Sequence, residues 1–198
     1  LDLEIHHGGI GHNSAGRRDE ALRYTDIGNA GKFVECHGDQ LRYCYELGTW
    51  LSWNGKQWVI GDKASVERMA EDTIRSFEEE AERISDNRDR DTFLTWTKRS
   101  GNRSHIKAMC EQARHRVNID QGKLDADIHT INVDGIIIDL RTGEARRSRH
   151  DDYCTNSIGT IYEPSAECPQ FKAFLDRIMD GSDDLKAYLQ RAVGYSLT

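Results

Sequence analysis

The sequence predicts an α+β fold that is mainly helical and carries two small antiparallel β patches. Apolar residues recur every three or four positions over residues 66–84 and again over residues 171–193, which is typical of amphipathic helices. Aromatic and β-branched residues flank Asn54-Gly55, and a similar apolar stretch flanks Asp134-Gly135. Both dipeptides favour tight turns between antiparallel strands.

The first elements follow from capping and alternation. Asp26 or Asn29 is expected to cap a short helix that carries Phe33 and Val34 and ends at Gly38. Beyond it, alternation over residues 41–45 and the aromatic runs around the Asn-Gly turn predict a small antiparallel meander reaching residue 60.

Three helices are then predicted in succession. The first, from residue 64, has an acidic solvent-exposed face, since residues 67–91 hold ten acidic and five basic residues. Its apolar stripe consists of Val66, Met69, Ala70, Ile74, Phe77, Ala81 and Ile84. The second carries Phe93, Leu94 and Trp96. The third is expected to be capped by Ser100 or Asn102 and to turn inward Ile106, Met109, Cys110 and Ala113.

The C-terminal part repeats both patterns. Residues 131–140 predict two short strands joined by a turn, and residues 141–144 predict another tight turn. Residues 168–195 predict two helices joined near Gly181, with Ser182 as the cap of the second. Their apolar faces consist of Phe171, Phe174, Leu175 and Ile178 on one helix and Leu185, Tyr188, Leu189 and Val193 on the other.

Length and composition limit the class of protein. The 198 residues suit one domain over residues 25–198, preceded by a flexible lead-in over residues 1–24 whose histidines are expected to be solvated. Starting at Leu1 suggests a piece of a longer protein. Five cysteines without paired spacing, and no apolar run long enough to span a membrane, favour a cytoplasmic protein with no membrane partner. The net charge of −7 argues against a general coat for nucleic acid.

No catalytic, metal or cofactor site is predicted within this chain. Cys36, His37 and Cys44 lack the paired spacing of structural zinc, and Cys36 is expected in the core. Asp139 is one acid on a strand, without the second acid that a metal-dependent polymerase needs. The glycines near Gly9 lack the preceding strand and the Lys-Ser/Thr pair of a nucleotide-binding loop.

Clusters of basic residues are the one functional feature that the local sequence supports. Residues 98–116 carry six Lys and Arg against one Glu. We name as the first basic cluster Lys98, Arg99, Arg103, Lys107 and Arg114, and as the second basic cluster Arg146, Arg147 and Arg149. Helical spacing predicts that the last three residues of the first cluster share a stripe that can neutralise phosphates. Two interpretations stay open: at least one cluster contacts DNA, or both pair with the acidic helix over residues 67–91.

Four stretches together resemble one family. Residues 24–33, Y-T-D-I-G-N-A-G-K-F, resemble L-T-D-x-G-N-A-x-R-F, and residues 50–58, W-L-S-W-N-G-K-Q-W, match W-L-x-W-D-G-x-x-W. Residues 131–144, I-N-V-D-G-I-I-I-D-L-R-T-G-E, resemble L-N-x-x-N-G-x-x-D-L-R-T-G-E, with Asp134 in place of the turn Asn and the turn one position earlier. Residues 188–198, Y-L-Q-R-A-V-G-Y-S-L-T, match Y-L-Q-R-x-L-G-Y-S-L-T. They are characteristic of the domain that precedes the helicase in phage and plasmid DNA primase–helicases and is named after the poxvirus protein.

The resemblance implies a place in DNA replication. In that family the domain lies between an N-terminal primase and a C-terminal superfamily 3 helicase, a hexameric ATPase for which ATP and magnesium are expected. It implies a non-catalytic linker or collar in a phage, prophage or plasmid protein. Its partners would be the adjoining primase and helicase domains, a single strand or fork of DNA, and further copies of the chain. The alternative is a stand-alone oligomerisation or regulatory adaptor from a truncated prophage gene.

Overall fold

The computed structural model describes residues 24–196. Residues 1–23 of the predicted lead-in, with its histidines, and the last two residues of the fourth family motif lie outside the described part. The described chain divides into two compact units. The first comprises residues 24–54 and 59–121, and the second comprises residues 55–58 and 122–196. The α+β prediction, mainly helical with two small antiparallel sheets, is confirmed.

Four helices and a three-stranded sheet make up the first unit. They are α1 (Asp26–His37), β1 (Leu41–Cys44), β2 (Thr49–Trp53), β3 (Trp58–Ile60), α2 (Lys63–Glu82), α3 (Asn87–Ser100) and α4 (Arg103–Ala113). The strand order β1-β2-β3 is the predicted meander, and β1 pairs antiparallel with β2. Trp58, at the start of β3, belongs with the second unit. A short 3₁₀ turn, Arg114–Arg116, continues α4.

The start of α1 differs from the prediction. Thr25, not Asp26 or Asn29, is the N-cap, because its extended backbone lets its side chain accept the Gly28 N–H at 3.2 Å. Asp26 instead meets the Nδ1 of His105 in α4 at 2.8 Å. Asn29 lies inside the helix, buried, and donates to the Ser100 hydroxyl at 3.2 Å. The cap prediction is therefore wrong, and the predicted end at Gly38 is confirmed.

The helical stripes are mostly where the spacing predicts them. Val66, Ala70 and Phe77 of α2 are buried, although α2 ends at Glu82 and leaves Ile84 beyond it. Asn102 is the α4 N-cap residue, whereas Ser100, the other predicted cap, is buried at the end of α3. Cys36, predicted in the core, is exposed: it follows the stripe of Phe33 but lies in the last turn of α1, one residue before the helix ends.

One apolar core holds α1, α2, α4 and the sheet together. Its buried members include Phe33, Leu41, Val66 and Met109, and Trp50 packs edge-on against Phe33 and Tyr43. A smaller aromatic cluster joins the later part of α2 to α3. Burial on this scale is the main stabilising contribution, at about 1.5–3 kcal/mol for each large apolar side chain.

The second unit is a three-stranded sheet followed by two helices. The strands β4 (Thr130–Val133), β5 (Ile136–Asp139) and β6 (Ala145–Arg147) pair antiparallel in that order, and the helices are α5 (Pro169–Ile178) and α6 (Asp183–Tyr195). Asp134 and Gly135 both have positive φ, as the predicted tight turn requires. Ser182 caps α6 as predicted and accepts the Leu185 N–H at 3.4 Å.

Trp58 anchors the loop after β6. Its side chain is fully buried and its Nε1 donates to the His150 carbonyl at 2.8 Å. Its backbone N–H donates to the Cys154 carbonyl at 2.8 Å, and its ring stacks on Tyr153. The third aromatic residue of the second family motif is therefore a structural residue of the second unit.

The apolar faces of α5 and α6 depart from the prediction. Both helices form, but Phe171, Phe174, Leu185 and Tyr188 are exposed, Tyr188 by 65%. These side chains do not enter a core within residues 24–196, since helical spacing aligns an apolar face but does not supply a covering partner. None of the helices described is both long enough and apolar enough to cross a bilayer.

Candidate nucleic-acid interface

Helix α4 and the turn after it gather part of the first basic cluster. Arg103 and Lys107 lie one helical turn apart on α4, and Arg114 begins the 3₁₀ turn. All three line one cavity of about 620 Å³ in the first unit, together with Lys63 from the start of α2. The predicted stripe is therefore present, and Lys63 is a fourth cation that the sequence analysis did not find.

Two members of the first basic cluster lie elsewhere. Lys98 and Arg99 occupy the last turn of α3 and are exposed, where positive charge is stabilised by the negative end of the helix dipole. Arg99 lines a separate groove along α3 with Asn87, Asp91 and Trp96. Local helix energetics explain these two charges without any ligand.

Arg103 and Lys63 lie at helix starts, where a positive charge opposes the helix dipole. Neither side chain forms an ion pair or hydrogen bond with another residue of the described chain. Lys107 lies 3.9 Å from Glu111 on the same helix, an exposed contact worth less than about 1 kcal/mol. The charges of Arg103 and Lys63 therefore have no structural use within the first unit.

The cavity also holds acidic and apolar groups. Glu67 and Glu71 of α2 line it, so the acidic helix faces the basic stripe, whereas the second interpretation required that both clusters pair with that helix. They make no ion pair with Arg103, Lys107 or Arg114 within residues 24–196. The apolar lining comes from Trp50, Val66, Ile106 and Cys110.

Arg114 is held by an aromatic ring. Its guanidinium carbon lies 4.8 Å above the centre of the Tyr43 ring, a cation–π contact, and Tyr43 is itself braced by Tyr45 and Trp50. The Nε of Arg114 is buried and meets no acceptor among residues 24–196. Beside it, burial raises the pKa of the Cys110 thiol to about 11, so this side chain is neutral at physiological pH.

The second basic cluster lies in the second unit and is mainly structural. Arg146 forms two hydrogen bonds to the Asp152 carboxylate, at 2.8 and 2.6 Å. Burial opposes ionisation of Asp152, but the Arg146 guanidinium and the Arg149 N–H outweigh it and lower the pKa of that carboxyl. Arg147, on β6, is exposed, and so is Arg149. Arg147 and Arg149 are thus the two side chains of this cluster that remain for a partner.

The acids weighed for metal chemistry have other partners. Asp139 accepts hydrogen bonds from the Arg141 side chain at 2.7 and 3.1 Å and from its N–H at 2.8 Å, which holds the pKa of Asp139 well below its usual range. It therefore fixes the turn between β5 and β6. Over residues 24–196 there is no group of three His, Cys, Asp or Glu side chains placed to hold a metal ion.

The family motifs serve the fold rather than the cavity. Thr25 caps α1, Asn29 bonds α3, Trp58 anchors a loop and Asp139 fixes a turn. Trp50 is the one motif residue named here that also lines the cavity.

Comparison with known proteins agrees with these motifs. The family profile described as "D5 N terminal like" matches residues 30–180, well over half of the chain. A search of curated proteins finds none that matches the chain. That profile describes the N-terminal domain of D5-like phage and viral primase–helicase proteins. The chain therefore belongs to the D5 N-terminal-like family.

Proposed function

We propose that this chain is a non-catalytic connecting or collar domain of a phage or plasmid DNA replication primase–helicase, and that it contacts DNA through the cavity between α2 and α4. The observation that carries the DNA contact is the grouping of Lys63, Arg103, Lys107 and Arg114 around one cavity. Family membership supports the replication role.

Electrostatics favour a local contact over general attraction. The chain as a whole carries −7, so DNA is repelled at a distance and is held only where cations are concentrated. Arg103 and Lys63 make no internal ion pair in the described chain, so phosphate contacts cost no existing interaction there. Each neutralised phosphate releases counterions, which makes binding steeply salt-dependent.

The test measures the binding of labelled DNA to the full chain by fluorescence anisotropy at several salt concentrations. The double variant R103E/K107E should weaken binding by about 100-fold at low salt and flatten the salt dependence, because two phosphate contacts become repulsive. The matched control is K172E/R177E, which makes the same change in net charge on exposed positions of α5.

The control should bind as the unchanged chain does. Equal affinity of R103E/K107E and the unchanged chain would remove the DNA contact from the cavity. Equal losses in both double variants would show that net charge alone is responsible.

The connecting role also predicts what the chain lacks by itself. Neither ATP hydrolysis nor primer synthesis is expected from the purified chain, since the proposed role is to link domains that carry those activities. Measurable turnover of ATP, or extension of a template-dependent primer, would falsify the non-catalytic role.

A second candidate is a stand-alone oligomerisation or regulatory module, favoured by the exposed apolar faces of α5 and α6. Two copies of α6 packed antiparallel would bring Asp184, near its start, opposite Arg191, near its end. Light scattering at micromolar concentration tests this: a dimer or ring that L185D/Y188D converts to a monomer supports it, and a monomer throughout contradicts it. An in-frame nucleotide-binding loop encoded after Thr198 would also contradict it.

A further inference from the structure

We propose that the cavity between α2 and α4 receives one unstacked nucleotide of a single DNA strand, with a preference for bases that carry an exocyclic amino group. This rests on the proposed DNA contact and specifies its substrate. A surface that only neutralised the phosphates of a duplex would need neither a concave shape nor apolar and acidic walls, and this cavity has all three.

Size and shape exclude a duplex from the cavity. Its volume of about 620 Å³ lies in the range of small-molecule sites, roughly 300–1,000 Å³. A base inside a duplex presents only its edges, whereas a base in a single strand can turn out of the stack and enter a pocket. The cavity therefore suits a single nucleotide whose neighbours remain outside.

The start of α4 is suited to the phosphate. Arg103 is the first residue of α4 and lines the cavity, and so does Gly101 just before the helix. The side chain of Asn102 makes no capping hydrogen bond within the described residues, so the first N–H groups of α4 have no side-chain acceptor. An anion at this position is stabilised both by those N–H groups and by Arg103 and Lys107.

The apolar part of the lining is suited to the base. Trp50, Val66, Ile106 and Cys110 give apolar contact, and Trp50 is rigid because two aromatic rings brace it, leaving 7% of it exposed. The high pKa of Cys110 keeps its thiol neutral, which preserves that apolar character.

Glu67 and Glu71 supply the preference among bases. A carboxylate accepts hydrogen bonds but does not donate them, so it favours the amino groups of cytosine, adenine and guanine over thymine, which has none. Both acids lack ion-pair partners among residues 24–196, so their oxygens are available to a base. Their negative charge also opposes a second phosphate entering the cavity, which fixes the orientation of the nucleotide.

The experiment compares single strands of dC and of dT, about 12 nucleotides long, with a duplex of equal length, at slightly alkaline pH and constant salt. The full chain should bind dC about fivefold more tightly than dT, and the duplex more weakly than either. Thymine offers a carboxylate only its N3–H, which lies between two carbonyl oxygens that repel the carboxylate, and paired bases cannot enter the cavity. In E67Q/E71Q the preference for dC over dT should fall to about one, while overall DNA affinity is kept or increased because two negative charges are removed.

The matched control is E78Q/E82Q, which makes the same change on exposed positions of α2 that do not line the cavity. This control should keep the dC preference. Equal binding of dC and dT by the unchanged chain, or a preference that survives in E67Q/E71Q, would overturn the nucleotide site and leave the DNA contact standing. Failure to bind any DNA at low salt would remove the DNA contact itself, so the two failures are distinct.

Discussion

The two basic clusters look alike in the sequence but differ in what their charges do. In the second basic cluster, Arg146 is tied to Asp152 by two hydrogen bonds and supports the loop after β6. In the first, Arg103 faces a cavity and pairs with nothing else in the described chain. A run of Arg and Lys residues therefore shows where charge lies along the chain, and only the fold shows whether that charge is already used.

We expect the largest loss of stability from a change at Trp58, whose side chain holds the loop after β6, beside the second basic cluster. Trp58→Ala should lower the free energy of unfolding by about 3–5 kcal/mol, since it empties a fully buried site and frees the His150 carbonyl. Urea denaturation monitored by circular dichroism measures this loss in the free energy of unfolding. Trp58→Phe is the control: it keeps most of the ring but loses the N–H donor, and should cost about 1–3 kcal/mol. A loss below that range for Trp58→Ala would contradict the anchoring role.

The next largest effect separates the two clusters by stability. Arg146→Ala should cost about 1 kcal/mol in the free energy of unfolding, a value reduced because nearly half of the Arg146 side chain is exposed. Arg103→Ala should change it by less than about 0.5 kcal/mol, since Arg103 has no partner to lose within the described residues. Equal losses in the two variants would show that Arg103 is structural after all.

The same pair predicts a pH dependence. The pKa of Asp152 is lowered in the folded chain, so its contribution is present above the ordinary pKa of an aspartate and is lost as the pH falls through the lowered value. The pKa of Asp139 is also lowered in the folded chain, so its contribution to stability is lost in the same way as the pH falls. Stability should therefore decrease from about pH 5 downwards, and less steeply in Arg146→Ala than in the unchanged chain. A parallel decrease in both would show that other carboxylates are responsible.

The smallest effect concerns DNA binding by the second basic cluster. R147E/R149E should weaken DNA binding by about threefold, against about 100-fold for R103E/K107E, because its two exposed side chains lie on a strand and a loop rather than around a cavity. The anisotropy assay at low salt measures both. A loss in R147E/R149E as large as that in R103E/K107E would make the two clusters equal contributors.

Local patterns predicted the elements, and contacts between elements were missed. Periodicity was enough for α2, and the Asp134-Gly135 dipeptide was enough for the hairpin turn, because both depend on residues close in sequence. The cap of α1 was missed because Asn29, a common capping residue, is used for a buried bond to Ser100, which leaves the cap to Thr25. Such a bond spans 71 positions and leaves no local signal.

The basic side of the cavity was predicted as a stripe, and the cavity itself was not. Arg103, Lys107 and Arg114 follow one helical stripe, so their grouping was predictable from spacing. Lys63 and Glu67 come from another helix, and only the packing of α2 beside α4 places them on the opposite wall. The pairing of Arg146 with Asp152 likewise depends on the β5–β6 register and the turn that follows, neither of which the charges themselves specify.

The uneven burial of the cysteines offers a way to attach reporters without mutation. Cys36 in the first unit and Cys168 in the second are exposed, whereas burial raises the pKa values of Cys44, Cys110 and Cys154, the last two to about 11. Alkylating dyes react with the thiolate, so at neutral pH they should modify Cys36 and Cys168 first. Labelling with a mixture of donor and acceptor dyes would give some molecules with one dye of each kind, one per unit. Energy transfer in those molecules would report whether DNA changes the separation of the two units.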